Sequence, residues 1–164
     1  MTGRDPTTPV WLVVCGERER GDDAAGPLAV EGLPLDLLAR CELRLTAGLS
    51  VETILDIPEG AACVLVDAAL GIEPGAVVVR PLASLAARGG EAARTVSPSS
   101  SHVLAVDQVL GLAEVLCGRL PDGAFVGIGA SSAGIGAPLS PAVEEGLPAF
   151  RAAIAGEVLR FLAG

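Results

Sequence analysis

The sequence predicts an α/β fold, in which helices cover both faces of a twisted, mostly parallel sheet of about five strands. Short apolar runs alternate along the chain with longer segments of helical pattern, which is typical of this class. Three of the runs are apolar almost throughout and rich in Val and Ile, as expected of strands that are buried on both faces. They span residues 10–15, 63–66 and 124–128.

The remaining elements follow from periodicity and turn residues. Residues 41–46 alternate apolar and polar side chains, which indicates a strand near the sheet edge, and residues 76–79 form a fifth strand after a Pro-Gly turn. Helices are predicted at residues 24–32, 51–57, 103–117 and 140–162, the last with Pro141 at its first position. The glycine- and serine-rich residues 88–101 are predicted to form a loop.

Length and composition indicate one soluble domain. With 164 residues, the chain suits a polar tail over residues 1–9 followed by a single α/β domain over residues 10–164. No apolar run approaches the ~18 residues of a membrane span. The N-terminus lacks the basic start and apolar stretch of a signal peptide. We therefore expect a cytoplasmic protein with no membrane partner.

Charge and composition exclude several functions. The net charge of −9 disfavours binding to nucleic acid. The chain has no Lys, which excludes a P-loop lysine and Schiff-base chemistry, and it has no Tyr. Its four cysteines are far apart without a Cys-x-x-Cys pair, so we expect buried thiols rather than a disulfide or a zinc-thiolate site.

Polar residues stand where the predicted strands end, which is where α/β sheets bind ligands. Glu17, Asp22 and Asp23 follow the first strand, Asp67 ends the third, and the only histidine, His102, precedes a long helix. Asp22 or Asp23 is also suited to capping the helix that follows, and His102 to a first helical turn behind a serine cap. Asp67 has no obvious helix to cap, which favours a role in a site.

Two carboxylates and an imidazole from three separate segments form a plausible set of metal ligands with open positions. Nucleophilic sites are less well supported. The segment Gly-Ala-Ser-Ser-Ala-Gly at residues 129–134 is not the Gly-x-Ser-x-Gly of α/β-hydrolases. Cys15 lies inside a strand, where an inert thiol is the usual finding. The glycines of residues 127–136 do not complete a dinucleotide fingerprint.

The order of these motifs resembles the hydrogenase maturation proteases, endopeptidases that trim the C-terminal extension of the [NiFe]-hydrogenase large subunit. The resemblance covers residues 10–162. It depends on a strand followed by Gly and Asp-Asp-x-x-Gly, a strand ending in Val-Asp-Ala with a downstream Pro-Gly, Ser-His before a helix, and a late Leu-Ser-Pro-x-Val.

The resemblance implies a three-layer αβα sandwich with a peptidase site that senses nickel. By position, Asp23, Asp67 and His102 would be the catalytic and nickel-binding residues. It implies no permanently bound cofactor, because the nickel belongs to the substrate, a [NiFe]-hydrogenase large-subunit precursor. Glu17 replaces the Asn usual after the first Gly, and Gly127-Ile-Gly-Ala130 replaces the usual Gly-x-Glu/Gln-Pro. Glu17 is therefore a possible additional ligand.

Two other functions remain open from the sequence. One is a non-catalytic module that senses a metal or docks on a metalloenzyme precursor without cleaving it. The other is a small-molecule hydrolase of general α/β type.

Overall fold

The sheet of this protein has five strands, in a computed structural model that describes residues 4–5, 7–92 and 105–164. The strands are β1 (Val10–Cys15), β2 (Cys41–Thr46), β3 (Ala62–Ala69), β4 (Val77–Pro81) and β5 (Asp122–Gly129). Their spatial order is β2-β1-β3-β5-β4. Four strands run parallel, and β4 lies antiparallel to β5 at one edge. The predicted mostly parallel sheet is confirmed.

Helices cover both faces of this sheet. They are α1 (Ala25–Glu31), α2 (Leu35–Leu38), α3 (Val51–Leu55), α4 (Leu82–Ala92), α5 (Val106–Cys117) and α6 (Pro141–Leu162). Buried side chains of α1, α2 and α6 share one core with the sheet, and those of α3, α4 and α5 share the other. The protein is therefore a three-layer αβα sandwich. No helix in the described ranges is both long enough and apolar enough to cross a bilayer.

Strand β1 lies between β2 and β3, and all six of its residues are buried. Because side chains alternate across a strand, Leu12 and Val14 pack in the core beside α1 and α6, whereas Val13 and Cys15 pack in the core beside α3, α4 and α5. Helix α6 contributes Phe150 to the first of these cores. The apolar run that predicted this strand thus serves both cores at once.

One predicted loop is wrong. Residues 88–92, expected in a loop, belong to α4, and residues 93–101 lie outside the described residues. A side chain at Gly89 would overlap the backbone carbonyl of Asp107, so this glycine permits close contact between α4 and α5. The glycine that suggested a loop is required for helix packing instead.

Other boundaries differ by a few residues. β3 continues two residues beyond Asp67, which was predicted to end it. The short helix α2 was not predicted. In the described residues α5 begins at Val106, and residues 103–104 of its predicted start lie outside them. Helix α6 begins at Pro141, as predicted, and continues through Pro148 to Leu162 without a break.

We expect Phe150→Ala to destabilise the protein by about 3–5 kcal/mol, because it empties a fully buried aromatic site under α6. Leu159→Ala, on the same helix but 51% exposed, is the control and should cost under about 1.5 kcal/mol. Urea unfolding measures both variants. Equal losses for the two would show that α6 is not anchored through Phe150.

Candidate functional site

A cleft of about 760 Å³ opens at the carboxyl ends of the parallel strands. Asp23 from the segment after β1, Asp67 from β3 and Ala130 after β5 all line it. Because β1, β3 and β5 run parallel, the segments that leave them meet at one edge of the sheet. The walls are mainly apolar and include Leu49, Leu70, Ile72, Leu85 and Phe125.

The backbone conformation at Gly16 positions Asp23. Gly16 has a φ of 131°, and a side chain there would overlap the backbone carbonyl of Asp23. The Asp23 carboxylate accepts a hydrogen bond of 2.9 Å from the backbone N–H of Glu17. The chain therefore folds back on itself after β1, with Asp23 half-buried at the cleft wall.

Asp67 lies in β3, opposite Gly127 of β5, and is half-buried. Burial is the main cause that raises the pKa of this carboxyl group to about 7, and the nearby charge of Asp23 adds to it. A backbone hydrogen bond at Ala68 acts in the opposite direction. The structure thus brings the two predicted carboxylates together in one cleft, close enough for their charges to interact.

Asp22 does not cap the helix that follows it, contrary to the prediction. No side chain caps the 3-10 turn Gly21–Ala24 or α1. The Asp22 carboxylate is instead fully buried and accepts hydrogen bonds from the segment between β5 and α6. Its donors are the backbone N–H groups of Ser131 (2.7 Å), Ser132 (3.1 Å) and Ser140 (2.7 Å) and the Ser140 hydroxyl (3.0 Å).

Backbone hydrogen bonds reinforce this contact between two distant segments. The N–H of Asp22 donates to the carbonyl of Ser132, and the N–H of Gly21 donates to that of Ala137. Burial raises the pKa of Asp22, but the hydrogen bonds outweigh burial and hold that pKa below its ordinary value. Asp22 therefore fixes the segment that carries Asp23 against the cleft wall formed after β5.

Glu17 has an exposed side chain that is not part of the cleft wall. Its carboxylate lies 3.3 Å from the guanidinium of Arg20, which does line the cleft. The suggestion that Glu17 is an additional metal ligand stays a prediction. In the structure, its backbone N–H donates to Asp23, its carbonyl accepts from the N–H of Arg20, and its carboxylate forms this ion pair.

Cys15 is buried at the end of β1. Burial first, then the charges of Asp67, Cys63 and Asp23, raise the pKa of its thiol well above the ordinary value. The group stays protonated at neutral pH, as expected of an inert thiol. All four cysteines are free. Cys15 and Cys63 are buried, as predicted, whereas Cys41 and Cys117 are half-buried, contrary to the prediction.

His102 lies outside the described residues. Within the part of the chain that the structure describes, no group of three or more His, Cys, Asp or Glu side chains could hold a metal ion. The two carboxylates alone supply only part of the predicted ligand set. The nickel-binding role of Asp23, Asp67 and His102 thus stays a prediction.

Sequence reasoning missed two basic residues of the cleft, Arg20 and Arg88. Arg20 was treated as part of a solvated charged loop, and Arg88 falls in the segment that was predicted as a loop. The helical spacing of Leu82, Leu85 and Ala86 was the available signal for α4. The donors that bind Asp22 could not be identified, because they lie more than 100 positions away in the sequence.

The fold is similar to solved structures of hydrogenase maturation proteases. The protease HycI from Thermococcus kodakarensis KOD1 is 24% identical, with 93% of each chain covered and a TM-score of 0.57. The hydrogenase maturating endopeptidase HybD from E. coli is 18% identical, with 93% of each chain covered and a TM-score of 0.66. The endopeptidase HycI from Escherichia coli is 19% identical, with 91% and 90% covered and a TM-score of 0.60.

No protein-family model matches the chain, and no curated protein matches it in sequence. At these low identities the structural likeness establishes the fold, which extends over nearly the whole length of both chains. The resemblance that the ordered motifs indicate is therefore confirmed at the level of the fold.

We expect Asp22→Ala to lower the free energy of unfolding at pH 7 by at least about 3 kcal/mol, because three backbone N–H groups lose their buried acceptor. Glu19→Ala, an exposed acid in the same segment, should change it by less than about 0.5 kcal/mol. Urea unfolding measures both.

The loss should also depend on pH. The folded pKa of Asp22 is below its ordinary value of 3.8, so its contribution is fully present above that value and disappears as the pH falls through the lower one. The difference in stability between the wild type and Asp22→Ala should therefore become smaller in acid. A difference that stays constant between pH 7 and pH 2.5 would contradict the assignment of a buried, ionised Asp22.

Proposed function

We propose that this protein is an endopeptidase that removes the C-terminal extension of a [NiFe]-hydrogenase large-subunit precursor after nickel insertion. One observation carries the proposal. Asp23 and Asp67 come from different strand ends and face one cleft, in a fold shared with solved hydrogenase maturation proteases. The motif order of the sequence supports the same function and adds His102.

In this proposal the nickel arrives with the substrate, and the protein keeps no metal of its own. Asp23 and Asp67 offer carboxylate oxygens at the cleft, and His102 would complete the set with an imidazole nitrogen. Binding nickel that already sits in the precursor would hold the adjacent peptide bond at the cleft, which supplies orientation. A precursor without nickel would lack this anchor and would not be cleaved.

The chemistry of Asp67 suits peptide hydrolysis near neutral pH. Before the nickel of the substrate binds, a pKa of about 7 keeps this group in both protonation states at physiological pH, and the nearby cation would then favour the ionised carboxylate. The ionised carboxylate would take a proton from the attacking water as the water oxygen bonds to the scissile carbonyl carbon. The carbon–nitrogen bond then breaks, and the leaving amine takes up the proton. The bound nickel would polarise the carbonyl or the water.

The cleft walls fit a peptide as the substrate. Leu49, Leu70 and Ile72 line the cleft beside the carboxylates. Apolar walls with a few placed polar groups are typical of ligand-binding sites, and here they would contact the apolar side chains of a peptide. The acidic net charge disfavours nucleic acid as a partner. We place the reaction in the cytoplasm, where the precursor would be assembled.

The experiment is incubation of the protein with nickel-loaded and nickel-free large-subunit precursor, followed by mass spectrometry of the precursor's C-terminus. We expect loss of a C-terminal peptide from the nickel-loaded form only. Binding of the loaded precursor without cleavage would instead support the non-catalytic docking module. Cleavage that is independent of nickel would contradict the proposed recognition.

Variants of the proposed ligands sharpen this assay. Asp67→Asn and His102→Ala should each lower the cleavage rate at least about 100-fold, because each loses a ligand, and Asp67→Asn also loses the proposed base. Asp107→Asn is the matched control, since Asp107 lines the same cleft without a proposed role, and should stay within about twofold of wild type. Normal processing by either ligand variant would show that the site is assigned wrongly.

A further inference from the structure

Strand β2 leaves one side of its backbone without a partner in the described structure. Among the described strands it is the outermost one, and its pairing partner is β1. The carbonyl of Thr46 accepts the N–H of Gly16, so Thr46 faces β1, and Glu42 and Arg44 face it too because pairing alternates along a parallel strand. The N–H and C=O groups of Cys41, Leu43 and Leu45 therefore point outward.

The outward-facing residues are also apolar. Cys41 packs at the border of the core beside α1 and α6, which places Leu43 and Leu45 on the same face of the sheet by alternation. Leu43 is 38% exposed and Leu45 is 64% exposed. An open strand edge with exposed apolar side chains is a template for pairing with another strand.

This edge has little of the usual protection. Natural edge strands are blocked by proline, by charged side chains such as lysine, by a bulge or by a covering segment. The only charged residues of β2 are Glu42 and Arg44, which have opposite signs. β2 contains no proline, the chain contains no lysine, and the pairing of β2 with β1 is regular over all six residues. The opposite edge strand, β4, ends in Pro81. Only β2 thus presents an unblocked edge in the described part of the sheet.

The charged residues on the other face of β2 can form ion pairs with the same residues of a second copy. Glu42 and Arg44 lie two positions apart on one face, with 2.9 Å between carboxylate and guanidinium. In an antiparallel, two-fold pairing of two β2 strands centred on Leu43, Glu42 of each copy stands opposite Arg44 of the other. Centring the pair on Glu42 or on Arg44 instead places like charges opposite each other, which is destabilising.

We propose that β2 pairs with β2 of a second copy of this chain, antiparallel and centred on Leu43, so that two five-stranded sheets become one. In this register the outward-facing residues stand opposite one another, Leu43 against Leu43 and Cys41 against Leu45. Their backbone groups then form hydrogen-bonded pairs. The two leucines of each copy are covered on one face, and two ion pairs form on the other.

The residues that follow β2, Ala47, Gly48 and Leu49, form part of the cleft wall, so the proposed contact lies next to the cleft in sequence. An interface of one strand from each copy is smaller than a stable dimer normally buries. The dimer is therefore in equilibrium with the monomer, and its population rises with protein concentration. The proposal does not depend on the proposed peptidase function.

The test is analytical ultracentrifugation of the wild type and of two charge variants, Glu42→Arg and Arg44→Glu. Wild type should move from the mass of one chain toward that of two as its concentration rises from about 5 to about 500 µM. Each single variant places like charges opposite each other and should remain monomeric over that range. An equimolar mixture of the two restores both ion pairs and should form a mixed dimer.

Glu52→Arg is the control for Glu42→Arg, because it makes the same change of net charge at an exposed site on α3 and should associate as wild type does. Wild type that stays monomeric at 500 µM would overturn the proposal. The open edge of β2 would then be available to a strand of another protein. Single variants that dimerise like wild type, or a mixture that stays monomeric, would equally contradict the proposed register. Circular dichroism of each variant tests whether it is folded.

Discussion

The buried carboxylate of Asp22 is the interaction on which the arrangement of the site depends. A charged group without solvent is costly unless hydrogen bonds replace its hydration, and Asp22 receives four from Ser131, Ser132 and Ser140. These donors belong to the segment that joins β5 to α6, whereas Asp22 follows β1. The contact therefore ties together two segments that are far apart in sequence and places Asp23 at the cleft.

Asp67 shows the opposite balance of burial and hydrogen bonding. The sheet holds its carboxyl group near Asp23. Burial and the charge of Asp23 raise its pKa to about 7, and only one backbone hydrogen bond, at Ala68, opposes this rise. Because its folded pKa exceeds the unfolded value, ionising this group destabilises the folded protein as the pH rises toward neutral. Ionised Asp22 stabilises the site. Ionised Asp67 is disfavoured by burial and by the charge of Asp23, and a bound cation would reduce this cost.

Much of the fold could be predicted because burial leaves a clear pattern. β1 and β2 were predicted to the residue, since a fully apolar run and an alternating run are distinct signals. Helix α4 was missed because Gly89 has the same sequence signature in a loop as in a close helix contact. Asp67 was chosen from its place at a strand end, and Asp23 was chosen from the same argument together with the motif order of the protease family. The true partners of Asp22 required the tertiary structure. The position of Asp22 before a helix predicted a cap, but its side chain instead binds the distant segment between β5 and α6.

The most direct test of this account measures the pKa of Asp67 by carbon-detected NMR of its carboxyl group, in the wild type and in Asp23→Asn. The asparagine keeps an acceptor for the N–H of Glu17 but removes the charge. We expect a pKa of about 7 in the wild type and a clearly lower value in the variant. An Asp67 that titrates near the ordinary value of 3.8, or that does not respond to the loss of the Asp23 charge, would contradict the convergence of the two carboxylates in one cleft.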